Sequence, residues 1–197
     1  VFIPTADVTE GAALWFDVLR VLVDDASRTK HTARIDEELV IDGRLIRNPE
    51  VTFTALSRRV LALPAEAAKR VMVGLRVAGQ AAHVLERYPT FCLASWQEWR
   101  AALAGGGLAV GSHGRTHTDL TRLDPVACER ELRLAKEQIE LALGQPCRGV
   151  AYPYGTWNQA VVEAACRAGY EIGVTTDPGL SVTNDNPWRL HRDTVGH

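Results

Sequence analysis

The sequence predicts an α/β fold assembled from parallel strand–helix units, and three observations lead to it. From residue 91 onward, short apolar runs (Leu108-Ala109-Val110, Gly149-Val150-Ala151-Tyr152, Ile172-Gly173-Val174-Thr175) alternate with helical segments of roughly 10 to 20 residues. The helices carry explicit start and stop chemistry: Asp124-Pro125 opens one and Gly144 closes it, while Ser95 and Glu98 have capping-box spacing before Gly105-Gly106-Gly107. The two segments richest in chemistry, Gly111 to His117 and Tyr152 to Gly155, each follow an apolar run. They therefore fall at the carboxyl ends of strands, where βα barrels and open α/β sheets place their sites.

Taken in order, Val1 to Pro4 reads as a buried strand. Gly11 to Val23 has helical periodicity, with Leu14, Phe16, Leu19 and Leu22 or Val23 on one side. Leu39 to Ile46 reads as a hairpin, two apolar runs around Asp42-Gly43. Residues 50 to 88 read as two helices broken at Pro64. The block from 17 to 88 holds no cluster of reactive side chains and reads as an excursion from the main fold, a lid or the wall of a groove. Further on, Ser95 to Leu103, Asp124 to Leu143 and Asn158 to Arg167 read as helices. The second of these carries an apolar stripe of Cys128, Leu132, Ala135, Ile139 and Ala142.

Composition bounds the function. The chain has 197 residues, 46% hydrophobic and 23% charged, which suits one globular domain. A formal net charge of −2 gives no reason to expect nucleic acid as a partner. No apolar run approaches the roughly 18 residues of a membrane span, and no basic segment precedes an apolar one as in a secretion signal. The chain opens on Val1-Phe2-Ile3-Pro4 without an initiator Met and reads as starting partway through a fold, so cytoplasm and cell envelope both stay open. Cys92, Cys128, Cys147 and Cys166 form no C-x-x-C pair; buried thiols are the expectation, with a disulfide or metal role as the alternative.

His113 and His117 are four residues apart, a spacing that on a helical turn brings both rings within reach of one cation. Neutral imidazole suits Zn²⁺ or another divalent first-row metal, although a catalytic site usually has three protein ligands. The alternative is two loop histidines on the surface or hydrogen-bonded to backbone. His31 and His83 read as surface or packing residues, and His191 and His197 lie near the end with nothing to fix their direction. In the second loop Pro153 fixes φ and Gly155 permits a sharp exit. Tyr154 between them can offer its backbone N–H to a developing oxyanion while its ring walls a groove. The alternative there is a plain strand-to-helix turn with an aromatic plug.

Together these residues resemble a known family. Gly-Ser-His-Gly-Arg-Thr-His-Thr-Asp-Leu at 111 to 120 is similar to the metal-binding histidine motif of the polysaccharide deacetylase (NodB homology, carbohydrate esterase family 4) superfamily. Val150-Ala151-Tyr152-Pro153-Tyr154-Gly155 resembles its groove motif. Ser95 to Trp99, Gly106 to Val110, Ala168-Gly169-Tyr170, Thr175-Thr176, Leu190-His191-Arg192 and Val1 to Thr5 resemble flanking segments. The resemblance covers 91 to 195 well, extends over 1 to 16 and is poor over 17 to 88.

The resemblance implies a distorted (β/α) barrel, incomplete at the N-terminus, forming one domain over 1–197 with 17–90 as a mostly helical insertion. It implies that His113 and His117 are metal ligands, usually of zinc. A metal-bound water would attack an N-acetyl group on an amino-sugar polysaccharide or oligosaccharide, with the Tyr154 N–H holding the oxyanion. Pro153, Tyr154, Gly155 and Trp157 would line the substrate groove, and Arg192 matches the arginine that orients the family's aspartate base. The family's Asp-Asp motif, source of that base and of the third metal ligand, precedes the strand matched by Val1 to Pro4, so this chain is expected to lack it. Asp24-Asp25 follows that strand and ends a helical run. The groove motif begins with Ala151 where Arg is frequent, and His191 stands where Pro is frequent. Two other functions stay open: a non-catalytic carbohydrate-binding remnant, and a hydrolase of small amides or imides on the same barrel.

Overall fold

The computed structural model describes residues 1–193. In chain order β1 (Phe2–Ile3) leads into α1 (Thr5–Glu10), followed by α2 (Trp15–Thr29), β2 (Thr32–Arg34), β3 (Val40–Asp42), α3 (Pro49–Ala62), α4 (Ala65–Ala81) and α5 (Val84–Arg87). Next come α6 (Trp96–Ala104), β4 (Gly111–Ser112), α7 (Pro125–Leu143), β5 (Gly149–Ala151), α8 (Gln159–Arg167) and β6 (Ile172–Val174). These elements fall into two compact units, Gly11–Leu93 and Val1–Glu10 together with the chain from Ala94 onward. Among the described residues no helix is long and apolar enough to cross a membrane.

The second of these units carries both candidate loops. Its sheet runs β1-β4-β5-β6 with every pair parallel, so the strands stand side by side in chain order, as in the wall of a βα barrel. This is the α/β class that the alternation predicts. The register pairs Phe2 with Gly111, and Ser112 with Val150. A Cβ on Gly111 would stand 2.6 Å from the Phe2 ring and 2.8 Å from the Gly149 carbonyl, so the ring needs glycine beneath it. That close approach corrects the expected strand at Leu108 to Val110. Those residues lead in, with the Val1 ammonium bonded to the Ala109 carbonyl, and pairing falls on the glycine-bearing segment.

Helix boundaries follow the sequence signals. Asp124 Oδ1 accepts from the Val126 and Ala127 amides, Pro125 follows, and Gly144 ends α7 at φ +66°. Ser95 and Glu98 form the reciprocal capping box at α6, and Asn158 caps α8 through the Val161 amide. Along α7, Cys128, Leu132, Ala135 and Ile139 are buried, while Ala142 is only half-buried. They pack with Val150, Tyr152 and Val161 in one apolar core. Full burial of a Leu or Ile side chain there contributes about 1.5–3 kcal/mol.

The free edge of β6 is covered by the chain's own return. Gly173 N–H donates to the Pro187 carbonyl, Leu190 N–H to the Gly173 carbonyl, and Thr175 N–H to the Leu190 carbonyl. Tyr152 and Trp188 lock this return, the phenol donating to the Trp188 carbonyl and the indole to the Tyr170 carbonyl.

Three expectations need correction in the Gly11–Leu93 unit and its lead-in. The helix expected over Gly11 to Val23 starts later and runs further: Gly11 takes φ +60° after α1 ends at Glu10, and α2 spans Trp15–Thr29. The buried side of α2 is Trp15, Val18, Leu19, Val21, Leu22, Val23 and Ala26, with Leu14 and Phe16 half-buried. The Asp42-Gly43 step does not turn a hairpin: β3 pairs backward with β2, and Ile35 to Leu39 makes the connection. There Asp36 Oδ1 accepts from the Glu38 and Leu39 amides. Gly43 serves instead a close approach to the end of α2, where any Cβ would overlap the Ala26 carbonyl. The break at Pro64 is as expected, but residues 50 to 88 hold three helices and not two, because the chain turns left-handed at His83 (φ +52°) between α4 and α5. Among the cysteines, Cys128 and Cys147 are buried, but Cys92 and Cys166 are exposed free thiols.

Candidate active site

Residues 113 to 117 form the loop after β4, and bonds to β1, α1 and α7 hold much of its backbone. His113 N–H donates to the Ile3 carbonyl, and Gly114 N–H to Ser112 Oγ. In return the Gly114 and Arg115 carbonyls accept from the Thr5 and Ala6 amides at the start of α1. The Arg115 and Thr116 amides both donate to Glu131 Oε1 on α7, which also accepts from the Thr116 hydroxyl. The loop closes on His117 at φ +54°, a left-handed conformation that costs a non-glycine residue of order 1–3 kcal/mol and persists only where its surroundings impose it.

The loop brings the two imidazoles together. Ring centroids of His113 and His117 lie 4.7 Å apart at an interplanar angle of 78°. His113 Nδ1 is 2.8 Å from the Ala151 carbonyl, which can only accept. Nδ1 therefore carries the proton, and Nε2 keeps the lone pair that a metal would use. Burial lowers the His113 pKa below the ordinary imidazole value; the bond to Ala151 offsets part of this, and the Arg192 charge lowers it further. Burial, then the neighbouring His113 charge, brings His117 down to about 4. Both rings are thus neutral near pH 7, the form that ligates a cation.

The second loop meets the first. In the tight turn Pro153–Gly155, Tyr154 takes φ +60° and its ring stands edge-on to His117, centroids 4.8 Å apart. Pro153 is buried and lies beside Gly114, where a Cβ would stand 3.5 Å from the proline ring. Gly155, at φ +71°, is pressed so closely to the Thr176 side chain that no Cβ fits. Asp119 Oδ1 joins the two loops, accepting from the Thr121 amide, the Thr121 hydroxyl and the Thr156 hydroxyl at 2.7–3.0 Å.

The structure thus brings His113, His117, Pro153, Tyr154 and Gly155 together. Trp157 lies half-buried beyond the turn, its indole N–H donating to Asp177 Oδ2 at 2.9 Å and one ring face covered by the Arg189 guanidinium at 4.3 Å. Arg192 is exposed, with its amide bonded to the Asp177 carbonyl. His191 is exposed on the same return, while His31 is exposed and His83 pairs with Glu86 on the surface. His197 lies outside the described residues. Asp25 holds Arg87 and Arg28, and those two bonds keep its carboxyl below the usual range.

Three residues that the sequence reading passed over matter here: Glu131, Thr156 and Asp177. Glu131 had a signal. It lies three residues after Cys128 and four before Ala135, so a carboxylate flanks the buried stripe of α7.

The chemistry of the donors fits two positions of a zinc site: two neutral imidazoles in contact, one with its tautomer set by a carbonyl. Among the described residues no group of three His, Cys, Asp or Glu side chains gathers as a metal site.

Residues 72–173 match the family described as polysaccharide deacetylase. The match takes in both loops but stops short of Arg192. The chain is 30% identical over 99 residues to YxkH of Bacillus subtilis (strain 168), provisionally named a polysaccharide deacetylase, covering 50% of this chain and 36% of that protein. It is 37% identical over 67 residues to a chitooligosaccharide deacetylase of Rhizobium leguminosarum bv. trifolii, covering 34% of this chain and 31% of that one. A solved structure of the Streptococcus pyogenes deacetylase PplD in complex with acetate aligns with 24% identity and a TM-score of 0.49, covering 55% of this chain and 47% of that one. The chain spans about a third of the length of the curated relatives it matches.

Proposed function

This chain belongs to the polysaccharide deacetylase family, and on that premise we propose that it carries the metal-holding and oxyanion-holding part of a site that hydrolyses N-acetyl groups on amino-sugar polymers or oligosaccharides. The observation that carries the proposal is the meeting of His113, His117 and Tyr154: a ring contact of 4.7 Å within the histidine loop and one of 4.8 Å from His117 to Tyr154 in the second loop.

His113 and His117 would hold a divalent cation, zinc by the chemistry of their nitrogens. Such a cation, when bound, lowers the pKa of a coordinated water and polarises the acyl oxygen. Other tasks fall to the chain. The Ala151 carbonyl fixes the His113 tautomer. The Tyr154 N–H donates to the oxygen that gains charge as the amide carbon becomes tetrahedral. Pro153 and Gly155 hold that N–H in a stiff turn, and the Tyr154 ring walls the site. Arg192 supplies positive charge near His113 and would orient a carboxylate base. A carboxylate base acting on the attacking water is worth about 10²–10⁴ in rate.

The test pairs binding with turnover. Zinc should bind this chain at one site and be lost in His117→Ala. A protein extended upstream of Val1 by an Asp-Asp-Gly strand unit should release acetate from N-acetylated chitooligosaccharides in a chelator-sensitive way. An extended protein that binds no metal would overturn the proposal.

A further inference from the structure

We propose that Glu131 is a positioning residue that sets the span between His113 and His117, a role that rests on reading those histidines as the metal pair. One oxygen of this carboxylate, Oε1, accepts from the Arg115 amide, the Thr116 amide and the Thr116 hydroxyl. Arg115 and Thr116 lie between the two histidines, so the anchor grips the loop between its functional ends. Charge-assisted bonds to backbone amides are among the stronger hydrogen bonds, and three on one oxygen leave the loop little freedom.

The geometry demands such an anchor. His117 is held at φ +54° without being glycine, and Gly114 at φ +74° begins the same bend. A left-handed non-glycine residue relaxes unless its neighbours over-determine it. On the near side the loop is tied by Thr5 and Ala6 to the Gly114 and Arg115 carbonyls. For the Arg115 and Thr116 amides, whose orientation sets the direction in which the chain enters His117, the partner is Glu131. A mid-helix position with α7 packed into the core makes a rigid mount, since Cys128, Leu132 and Ala135 on either side are buried. Glu131 acts through the loop backbone.

The experiment compares Glu131→Ala, Glu131→Gln and Glu131→Asp with Glu137→Ala, a surface control on the same helix whose partner is Arg133. Three quantities are read: amide hydrogen exchange at Arg115 and Thr116, Zn²⁺ affinity by competition with a chromogenic chelator, and thermal unfolding. In Glu131→Ala the two amides should lose protection and zinc affinity should fall roughly 10-fold or more, while the Tyr152 amide, bonded to the Val174 carbonyl, stays protected. Glu131→Gln keeps an acceptor oxygen and should restore most of both. If Glu131→Ala fails to fold, Glu131→Asp, with the carboxylate withdrawn by one methylene, must show the same losses in weaker form. Unchanged zinc affinity and unchanged amide protection in a folded variant would overturn the proposal, as would a lowered unfolding temperature with zinc affinity intact. A wild-type chain that binds no zinc would overturn the deacetylase reading instead. The exchange measurement then decides whether Glu131 holds the loop.

Discussion

Tyr154 and His117 stand ring to ring, centroids 4.8 Å apart at 85°, and each is a left-handed non-glycine residue in its own loop. Strain and contact therefore coincide at one point. Left-handed backbone is inexpensive only for glycine, and the excess for other residues is about 1–2 kcal/mol. Tyr154→Gly and Tyr154→Ala both remove the ring, but only the first relieves the backbone. The glycine variant should be more stable than the alanine variant by about 1 kcal/mol in urea unfolding. Equal stabilities would show that the turn carries no strain.

Asp119 ties the histidine loop to the Pro-Tyr-Gly turn through Thr156. Asp119→Ala removes the acceptor of the Thr121 amide and hydroxyl, leaves the Thr156 hydroxyl only its longer bond to the Pro153 carbonyl, and should cost about 1–3 kcal/mol. Because Asp119 and Thr156 share one bond, the double variant with Thr156→Val should lose less than the two single losses added together, by about 0.5–3 kcal/mol. Strict additivity would mean that the two loops are not energetically joined.

Acid stability of the metal-free protein should report His117. Its folded pKa of about 4 lies below the ordinary 6.5 because burial disfavours the charged ring. As pH falls below 6.5 the unfolded chain takes up a proton that the folded one refuses, so the stability present above 6.5 is lost progressively down to about 4. His113 shifts in the same direction and adds to the slope. Denaturation midpoints measured across this window should flatten in His117→Gln. The same slope in wild type and variant would place the titration elsewhere.

The four thiols should divide into two pairs. Burial pushes Cys128 and Cys147 up to about 11, whereas Cys92 and Cys166 are exposed. The thiolate is the reacting form, so alkylation near neutral pH should modify Cys92 and Cys166 first and reach the other two only on unfolding. Peptide mass mapping of a brief alkylation decides this, and early labelling at Cys128 or Cys147 would contradict the packing of α7 against β5.

Much of the fold was legible because its signals are local. Asp124, Ser95 with Glu98, and Asn158 announce helix starts by bonds reaching two or three residues along the chain. Pro64 breaks a helix by its own ring. The misreadings came where a distant partner overrides a local preference. Asp42-Gly43 has turn composition, yet Gly43 exists to approach the Ala26 carbonyl. Leu108 to Val110 have the apolar character of a strand, yet pairing falls on Gly111 and Ser112 because the Phe2 ring requires glycine beneath it.

The sequence by itself determined the order of strands and helices, the caps that bound them and the two loops that carry chemistry, since each depends on side chains acting within a few residues of their own backbone. Only the tertiary structure decided that Tyr154 meets His117, that the Ala151 carbonyl selects one imidazole tautomer, and that Glu131 grips the loop between the histidines. Those relationships join positions 15 to 38 residues apart through packing and hydrogen bonds across neighbouring strands and a helix, and no residue spacing encodes where such distant groups come to rest.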